Sequence, residues 1–233
     1  MKIAIIPARG GSKRIPRKNI KEFCGKPMIA WSIEAAKKSG LFDHILVSTD
    51  DEEIAQVAIK YGAEAPFLRP KNLADDHTVT RPVVNHAIEV TENLYGNVSY
   101  VCCIYATAPF VQALDLKDGF NKLIAEKSDF AFTVTSFPFP IQRAIKVTEN
   151  GRIAMFNPEY LNTRSQDLDE SYHDAGQFYW GRTQAFKNNI VTFSEASVPI
   201  ILPRYRVQDI DTPEDWEMAE WLHKMSMRAN EDS

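Results

Sequence analysis

Cysteine is scarce: the 233 residues include three, Cys24, Cys102 and Cys103. An odd count with two adjacent in an apolar run makes neither a disulfide framework nor a zinc site, and it fits a reducing, cytoplasmic setting. Long hydrophobic runs are missing as well. The N-terminal apolar stretch Ile3 to Pro7 stops at Arg9, far below the ~18 apolar residues of a spanning helix, so neither a membrane segment nor a secretory leader is expected. Positive charge is not in excess, since 27 Lys plus Arg face 31 Asp plus Glu for a formal net charge of −4. Such a chain has no overall field to gather nucleic acid or anionic lipid, and any phosphate it holds must meet a local site. Internal repeats, low-complexity tracts and a nucleophile triad are absent from the pattern. His44, His77, His86 and His223 lack metal-ligand spacing and read as packed or solvated.

What is present suits one α/β domain spanning residues 1–233, with 44% hydrophobic and 25% charged residues, enough to bury a core. Lys2 to Ile6 is a short continuous apolar run of the kind covered on both faces in a parallel sheet. Pro27 opens a helix that carries Ile29, Ile33 and Ala36 on one side and stops at Gly40. Residues 44–48 read as a strand, and Asp50 with Glu53 forms a capping-box pattern ahead of Ile54, Val57, Ala58 and Tyr61, with Gly62 as the stop. This strand and helix rhythm predicts right-handed βαβ crossovers, with ligand-binding loops at the carboxyl ends of the strands. A helix over 81–95, a strand over 100–105, a helix over 115–126 and a strand over 130–134 continue it. Residues 137–172 break the rhythm with SFPFP, a hairpin around Glu149-Asn150-Gly151 and a polar stretch, and read as an insertion or oligomerisation arm. The α/β pattern returns at 177–180. Short strands are expected near 198–202 and 205–208, then a last helix capped by Thr212-Pro213-Glu214-Asp215 with Ala219, Leu222 and Met225 on its apolar side, fraying from Arg228. Cys102 and Cys103 pack in a central strand, and Trp31, Trp180, Trp216 and Trp221 read as core or interface anchors.

Two segments carry chemistry. Pro7-Ala8-Arg9-Gly10-Gly11-Ser12-Lys13-Arg14 joins flexible backbone, a hydroxyl and three cations directly after a buried strand, a combination suited to a polyphosphate. It matches neither GxGxxG nor GxxxxGK[ST], so it is a different cradle. A solvated basic loop explains the same residue types equally well. Asp209-Ile210-Asp211 follows an extended segment, where residues two apart share a face and two carboxylates can share a hard cation such as Mg²⁺. On residue types alone, an exposed turn with Asp211 helping to cap the last helix is the stronger reading.

The run IPARGGSKRIPRKN at 6–19 resembles the N-terminal signature of the sugar-acid cytidylyltransferases, typified by CMP-sialic acid synthetase. VSTDDEEIA at 47–55, FLRP at 67–70, LADDHT at 73–78 and QDIDTPED at 208–215 resemble further family blocks in the expected order. The resemblance implies a Rossmann-like, mostly parallel sheet flanked by helices, of the nucleotide-diphospho-sugar transferase type. It implies an enzyme that joins CTP to a nine-carbon α-keto sugar acid and releases pyrophosphate. By position, Arg9, Gly10, Gly11, Ser12 and Lys13 would hold the phosphates, Lys18 and Asn19 would lie near the nucleotide, and Arg69 on the base or ribose side. Arg14 is expected to contribute less. Asp209 and Asp211 match the family's metal pair, which reverses the exposed-turn reading, and Arg9, Lys13 and Asp211 become the expected catalytic set with Mg²⁺ as cofactor. The family likeness also implies a homodimer with 137–172 as the arm that reaches the other subunit's sugar pocket.

The sugar-facing blocks depart from sialic acid synthetases. Where those carry Gln-Pro-Thr-Ser-Pro and Arg-x-Asn-Gly, this chain reads Tyr105-Ala106-Thr107-Ala108-Pro109 and His173-Asp174-Ala175-Gly176. The CIYATAP and DAGQFYWG blocks instead resemble pseudaminic acid cytidylyltransferases, whose substrate is a doubly acylamino, deoxygenated nonulosonic acid. That likeness makes Tyr105, Thr107, Arg164, His173 and Gln177 the expected sugar-facing residues, with Arg143 the alternative to Arg164 for the sugar carboxylate. N-acetylneuraminate or octulosonate cytidylyltransferases, guanylyl relatives and a non-catalytic nucleotide-binding protein are the competing readings.

Overall fold

The computed structural model describes residues 1–75 and 78–231, the last five of these by backbone alone. His77, in the LADDHT block, lies outside the described residues. The chain opens with β1 (Lys2–Pro7), a small antiparallel hairpin of β2 (Glu22–Phe23) and β3 (Lys26–Pro27), and α1 (Met28–Ser39). It continues through β4 (His44–Ser48), α2 (Glu52–Lys60), α3 (Thr80–Tyr95), β5 (Tyr100–Ile104), α4 (Ala113–Ala125) and β6 (Phe130–Ser136). Then come a second hairpin of β7 (Ile145–Val147) and β8 (Ile153–Met155), β9 (Tyr172–Arg182), α5 (Thr183–Lys187), β10 (Ser197–Ile201) and α6 (Pro213–Glu231).

Six strands form the main sheet in the order β10-β6-β9-β5-β1-β4. Pairing is parallel throughout except at β9, which runs against both β5 and β6. The mostly parallel sheet is therefore as the sequence indicates. Ile3, Ala4, Ile5 and Ile6 are all fully buried on β1, which follows from cover on both faces. Period two then splits the core. Ala4, Ile6, Cys102 and Ile104 face α1, α2 and α4 through Ile33, Ile54, Ala58 and Leu116. Ile3, Ile5, Val101 and Cys103 face α3 and α5 through Val84, Ile88, Ala185 and Phe186. A third, smaller core of Ile15, Phe23, Met28, Phe110, Ile210 and Trp216 lies apart from these. It ties the basic first loop to the aspartate segment near residue 210, which no periodicity argument reveals.

Several local expectations need correction. Pro27 caps α1 from outside rather than opening it. The cap of α2 is Asp51, whose side chain accepts the Ile54 N–H at 3.0 Å, while Asp50 has a different task described below. The segment expected as a strand at 205–208 contains a single 3₁₀ turn, Arg204–Arg206, because Pro203 interrupts the extended run. Met225 is exposed rather than packed, Trp221 lies outside the core, and α6 extends to Glu231, through most of the tail expected to fray. The Thr212-Asp215 box forms as read: Thr212 Oγ1 accepts the Asp215 N–H at 3.2 Å and Asp215 accepts the Thr212 N–H at 2.8 Å.

Candidate active site

Five of the six strands point their carboxyl ends to one edge, so the loops after β1, β4, β5 and β6 and the start of β9 meet there. That edge is where open α/β sheets bind ligands. The loop after β1 is braced from below. Gly10 donates its N–H to Asp50 Oδ1 at 3.0 Å, and a Cβ at Gly10 would meet Asp51 Oδ2 at 2.7 Å, so a larger residue would push the Asp51 carboxylate aside. Arg17, at φ 56°, makes a two-pronged ion pair with Asp51 and also reaches Glu53. That contact, set against some desolvation, holds the Arg17 guanidinium above its ordinary pKa and the Asp51 carboxyl below its own. Asn19, nearly buried, donates Nδ2–H to the Arg9 carbonyl at 2.9 Å. Ile15 is 2% exposed and plugs the third core.

Over this bracing opens a cleft of about 460 Å³. The first loop supplies Arg9, Ser12, Lys13, Arg14, Lys18 and Asn19 to its wall, α3 and the segment before it supply Thr78 and Thr80, and the turn after β5 supplies Tyr105 and Thr107. Asp211 arrives from the segment before α6. Its two carboxylate oxygens accept from Arg14 at 2.7 Å and Lys18 at 3.3 Å, and Lys18 also holds the Ile210 carbonyl at 2.7 Å. Ile210 is buried in the third core, which fixes Asp211 at the cleft. Arg69 is 6% exposed. It donates to both the hydroxyl and the carbonyl of Ser48, and burial lowers its pKa, opposed by Asp50 and reinforced by Arg9. An arginine held at a buried post beside a cleft by backbone and hydroxyl acceptors presents a fixed charge.

Of the residues singled out from the sequence, Arg9, Ser12, Lys13, Lys18, Asn19, Arg69, Tyr105, Thr107 and Asp211 line this one cleft. Gly10 and Gly11 are not on its wall, and the N–H of Gly10 is taken by Asp50. Asp209 is next to Asp211 but outside the cleft wall, with its carboxyl held above the ordinary range by desolvation and then by Asp211. Gln177 is buried and donates to the Arg206 carbonyl, outside the cleft wall. His173 packs edge-on against Phe137, their ring centroids 4.8 Å apart. Arg164 pairs with Asp167 at 2.7 Å, and Arg143 reaches Ser165 Oγ at 3.4 Å, both within the 137–172 segment. Sequence reasoning misses the bracing role of Asp50, because its spacing to Glu53 points only to the following helix. It also misses Thr78 and Thr80, although their two-residue spacing is a signal that could flag a hydroxyl pair.

A family model described as Cytidylyltransferase matches residues 3–225. The chain belongs to the cytidylyltransferase family. A pseudaminic acid cytidylyltransferase of Campylobacter jejuni is 50% identical over 224 residues, covering 96% of this cytidylyltransferase and 97% of the relative. A Helicobacter pylori protein named as both pseudaminic acid cytidylyltransferase and UDP-2,4-diacetamido-2,4,6-trideoxy-beta-L-altropyranose hydrolase is 41% identical over 209 residues, 89% of this chain and 40% of the relative. Among solved structures, a CMP:2-keto-3-deoxy-manno-octonic acid synthetase complexed with CTP superposes with a TM-score of 0.70 at 17% identity, covering 97% of this chain and 99% of that one. That likeness places the cytidylyltransferase in the same fold. Among the described residues, no helix is long and apolar enough to cross a membrane.

Proposed function

We propose that this cytidylyltransferase couples CTP to pseudaminic acid, giving CMP-pseudaminic acid and pyrophosphate. The observation that carries the reading is the convergence of Arg9, Ser12, Lys13, Lys18, Arg69 and Asp211 on one cleft at the carboxyl edge of the sheet. The anomeric hydroxyl of the sugar acid gives up its proton to solvent and attacks the α-phosphorus of CTP, a new P–O bond forms, and the bond to the bridging β-phosphate oxygen breaks to release pyrophosphate. Arg9 and Lys13 offset charge on the triphosphate and hold the departing pyrophosphate, and Ser12 adds a hydroxyl donor. The 50% identity over nearly the whole chain to a pseudaminic acid cytidylyltransferase supports the choice of sugar, as do Tyr105 and Ala175 in place of polar residues.

A divalent cation fits the donor set. Asp211 is on the cleft wall and Asp209 lies two residues before it, its carboxyl pKa raised by desolvation and then by Asp211, a repulsion that a bound cation would relieve. Among the described residues no group of three or more His, Cys, Asp or Glu side chains could hold a metal, so substrate oxygens and water would complete the shell, as Mg²⁺ prefers. When bound, Mg²⁺ supplies charge neutralisation at the phosphates.

The dimer and the cytoplasmic setting belong to the same proposal. Phe139, Val147, Ile153, Phe156 and Leu161 in the 137–172 segment are each more than half exposed, which a second copy would cover. Arg164, or Arg143 as its alternative, outside the wall of this chain's own cleft, would then reach the partner's sugar pocket. All three cysteines are free thiols, in keeping with a reducing compartment.

Pyrophosphate release with CTP across a panel of sugar acids, with and without excess EDTA, tests the reading. The expected result is EDTA-sensitive release that favours pseudaminic acid over N-acetylneuraminic acid by ~10²-fold in kcat/KM. Equal or better turnover of N-acetylneuraminic acid overturns the substrate, and full activity in EDTA overturns the metal.

A further inference from the structure

A second cavity, of about 310 Å³, adjoins the cleft and shares Thr80 and Tyr105 with it. Its other walls are largely apolar, among them Val84, Phe130, Phe186 and Phe193. Two charged side chains line it, Arg81 and Asp174. Arg81 is committed elsewhere: it donates to the carbonyls of Ala185 and Ile190 at 3.1 Å and to Thr192 Oγ1 at 2.7 Å, with its guanidinium carbon 5.0 Å from the ring centres of Phe130 and Phe186.

Asp174 is different. Its Oδ2 accepts from the Tyr179 hydroxyl and its Oδ1 accepts the Gly176 N–H at 2.9 Å. A carboxylate has about four lone-pair positions, so two stay available, and Asp174 is solvent-accessible. The placement is built by a bulge. In a regular strand, residues five apart lie about 17 Å apart and point to opposite faces. Here Phe132 pairs with Tyr179 and Val134 with Asp174, so four residues of β9 oppose one of β6, and Gly176 at φ 61° permits the turn. Asp174 is thereby brought to the Tyr179 hydroxyl, on the same cavity wall. Burial, and after it Tyr105 and Asp174, push the Tyr179 phenol far up from its ordinary pKa, so it remains a donor to Asp174 across the working range.

We infer that Asp174 is a specificity-determining residue that accepts a hydrogen bond from an acylamino N–H of the sugar acid, with the acyl methyl and deoxygenated carbons against the aromatic wall. This rests on the sugar-acid reading above and deepens it. An acceptor-only group at the wall of a largely apolar cavity selects a ligand that brings an N–H donor together with methyl groups, and it repels a second carboxylate or phosphate. The sugar's own carboxylate and anomeric carbon are thus directed toward the cationic cleft, where the α-phosphorus must be.

Steady-state kinetics on the full chain test this, using pseudaminic acid and two analogues in which one or the other amide N–H is replaced by an ester oxygen. Asp174→Ala is expected to raise the KM for pseudaminic acid ~10-fold or more, the loss of one charge-assisted hydrogen bond, while the KM for CTP stays as in wild type. One analogue should cost the wild type a similar factor and cost Asp174→Ala nothing further. Tyr179→Phe, which keeps the carboxylate, should retain that discrimination. An unchanged sugar KM in Asp174→Ala, or an equal penalty for both analogues in both proteins, overturns the inference. Wild-type turnover of pseudaminic acid reports separately on the substrate reading, so the two can fail independently.

Discussion

Arg9 and Lys13 illustrate how much one side chain can carry when the net charge of the chain opposes its ligand. The chain as a whole is negative, so affinity for a triphosphate must come from the few cations on the cleft wall. Arg9→Ala and Lys13→Ala should each lower kcat/KM for CTP by roughly 10- to 100-fold, equivalent to ~1.5 to 3 kcal/mol per charge-assisted contact; unchanged kinetics in both would make the loop a surface feature. Arg14 shares the wall but spends its charge on Asp211, a pairing that residue order alone does not show. Asp51 offers a test by pH. Its carboxyl is depressed by Arg17 in the folded chain, so it adds stability above the unfolded value of about 3.9 and loses it as pH falls through the lower folded value. Asp51→Asn, which can still cap α2, should melt below wild type at about pH 6, and the gap should close on acidification below about pH 4. A gap independent of pH would rule out the charge as its source.

At the scale of elements, β9 is the strand that sets this molecule apart from a uniform parallel sheet. It pairs with β5 over Phe178 to Arg182 and with β6 on both sides of its bulge, and its inner residues Phe178 and Trp180 are fully buried. The helix above them, α4, comes close through Gly119, where an added Cβ would lie 2.8 Å from Phe178 Cε2 and 2.9 Å from Trp180 Cδ1. Two opposed effects meet in Gly119→Ala: helix propensity favours alanine by ~1 kcal/mol, and overpacking costs ~1 to 3 kcal/mol. The rings are locked, Trp180 by its Nε1–H bond to the Leu116 carbonyl at 2.9 Å and by Phe42 stacked 5.0 Å away, so overpacking should win. Thermal denaturation of Gly119→Ala should show a fall in Tm of roughly 2 to 6 °C, whereas a rise would mean the rings yield.

For the molecule as a whole, the exposed apolar side chains of the 137–172 segment are ill suited to water. Light scattering at micromolar concentration should give about twice the chain mass of 26.4 kDa. A mass equal to one chain would refute the dimer and leave Arg164 and Arg143 without a route to any sugar pocket. The cleft itself needs no second copy for its cationic wall, since the first loop, Arg69 and Asp211 all come from one chain.

Much of this is legible from residue order because its causes are local. Continuous burial on β1, the Gly40 stop of α1 at φ 64°, the reciprocal Thr212-Asp215 cap and the Gly151 hairpin depend on neighbours within a few positions. The basic loop and Asp211 are legible as chemistry on the same terms. Their meeting is not, because it depends on Ile15 and Ile210 sharing a core across nearly two hundred residues of chain. The role of Asp50 is hidden for a similar reason: its partner, the Gly10 N–H, is on the adjacent parallel strand's loop, and sequence spacing registers only the helix that follows. Asp174 and Tyr179 illustrate the limit most plainly. Period two sends residues at odd spacing to opposite faces, and only the bulge, a choice made by the packing of β9 between two unequal neighbours, turns both into one cavity.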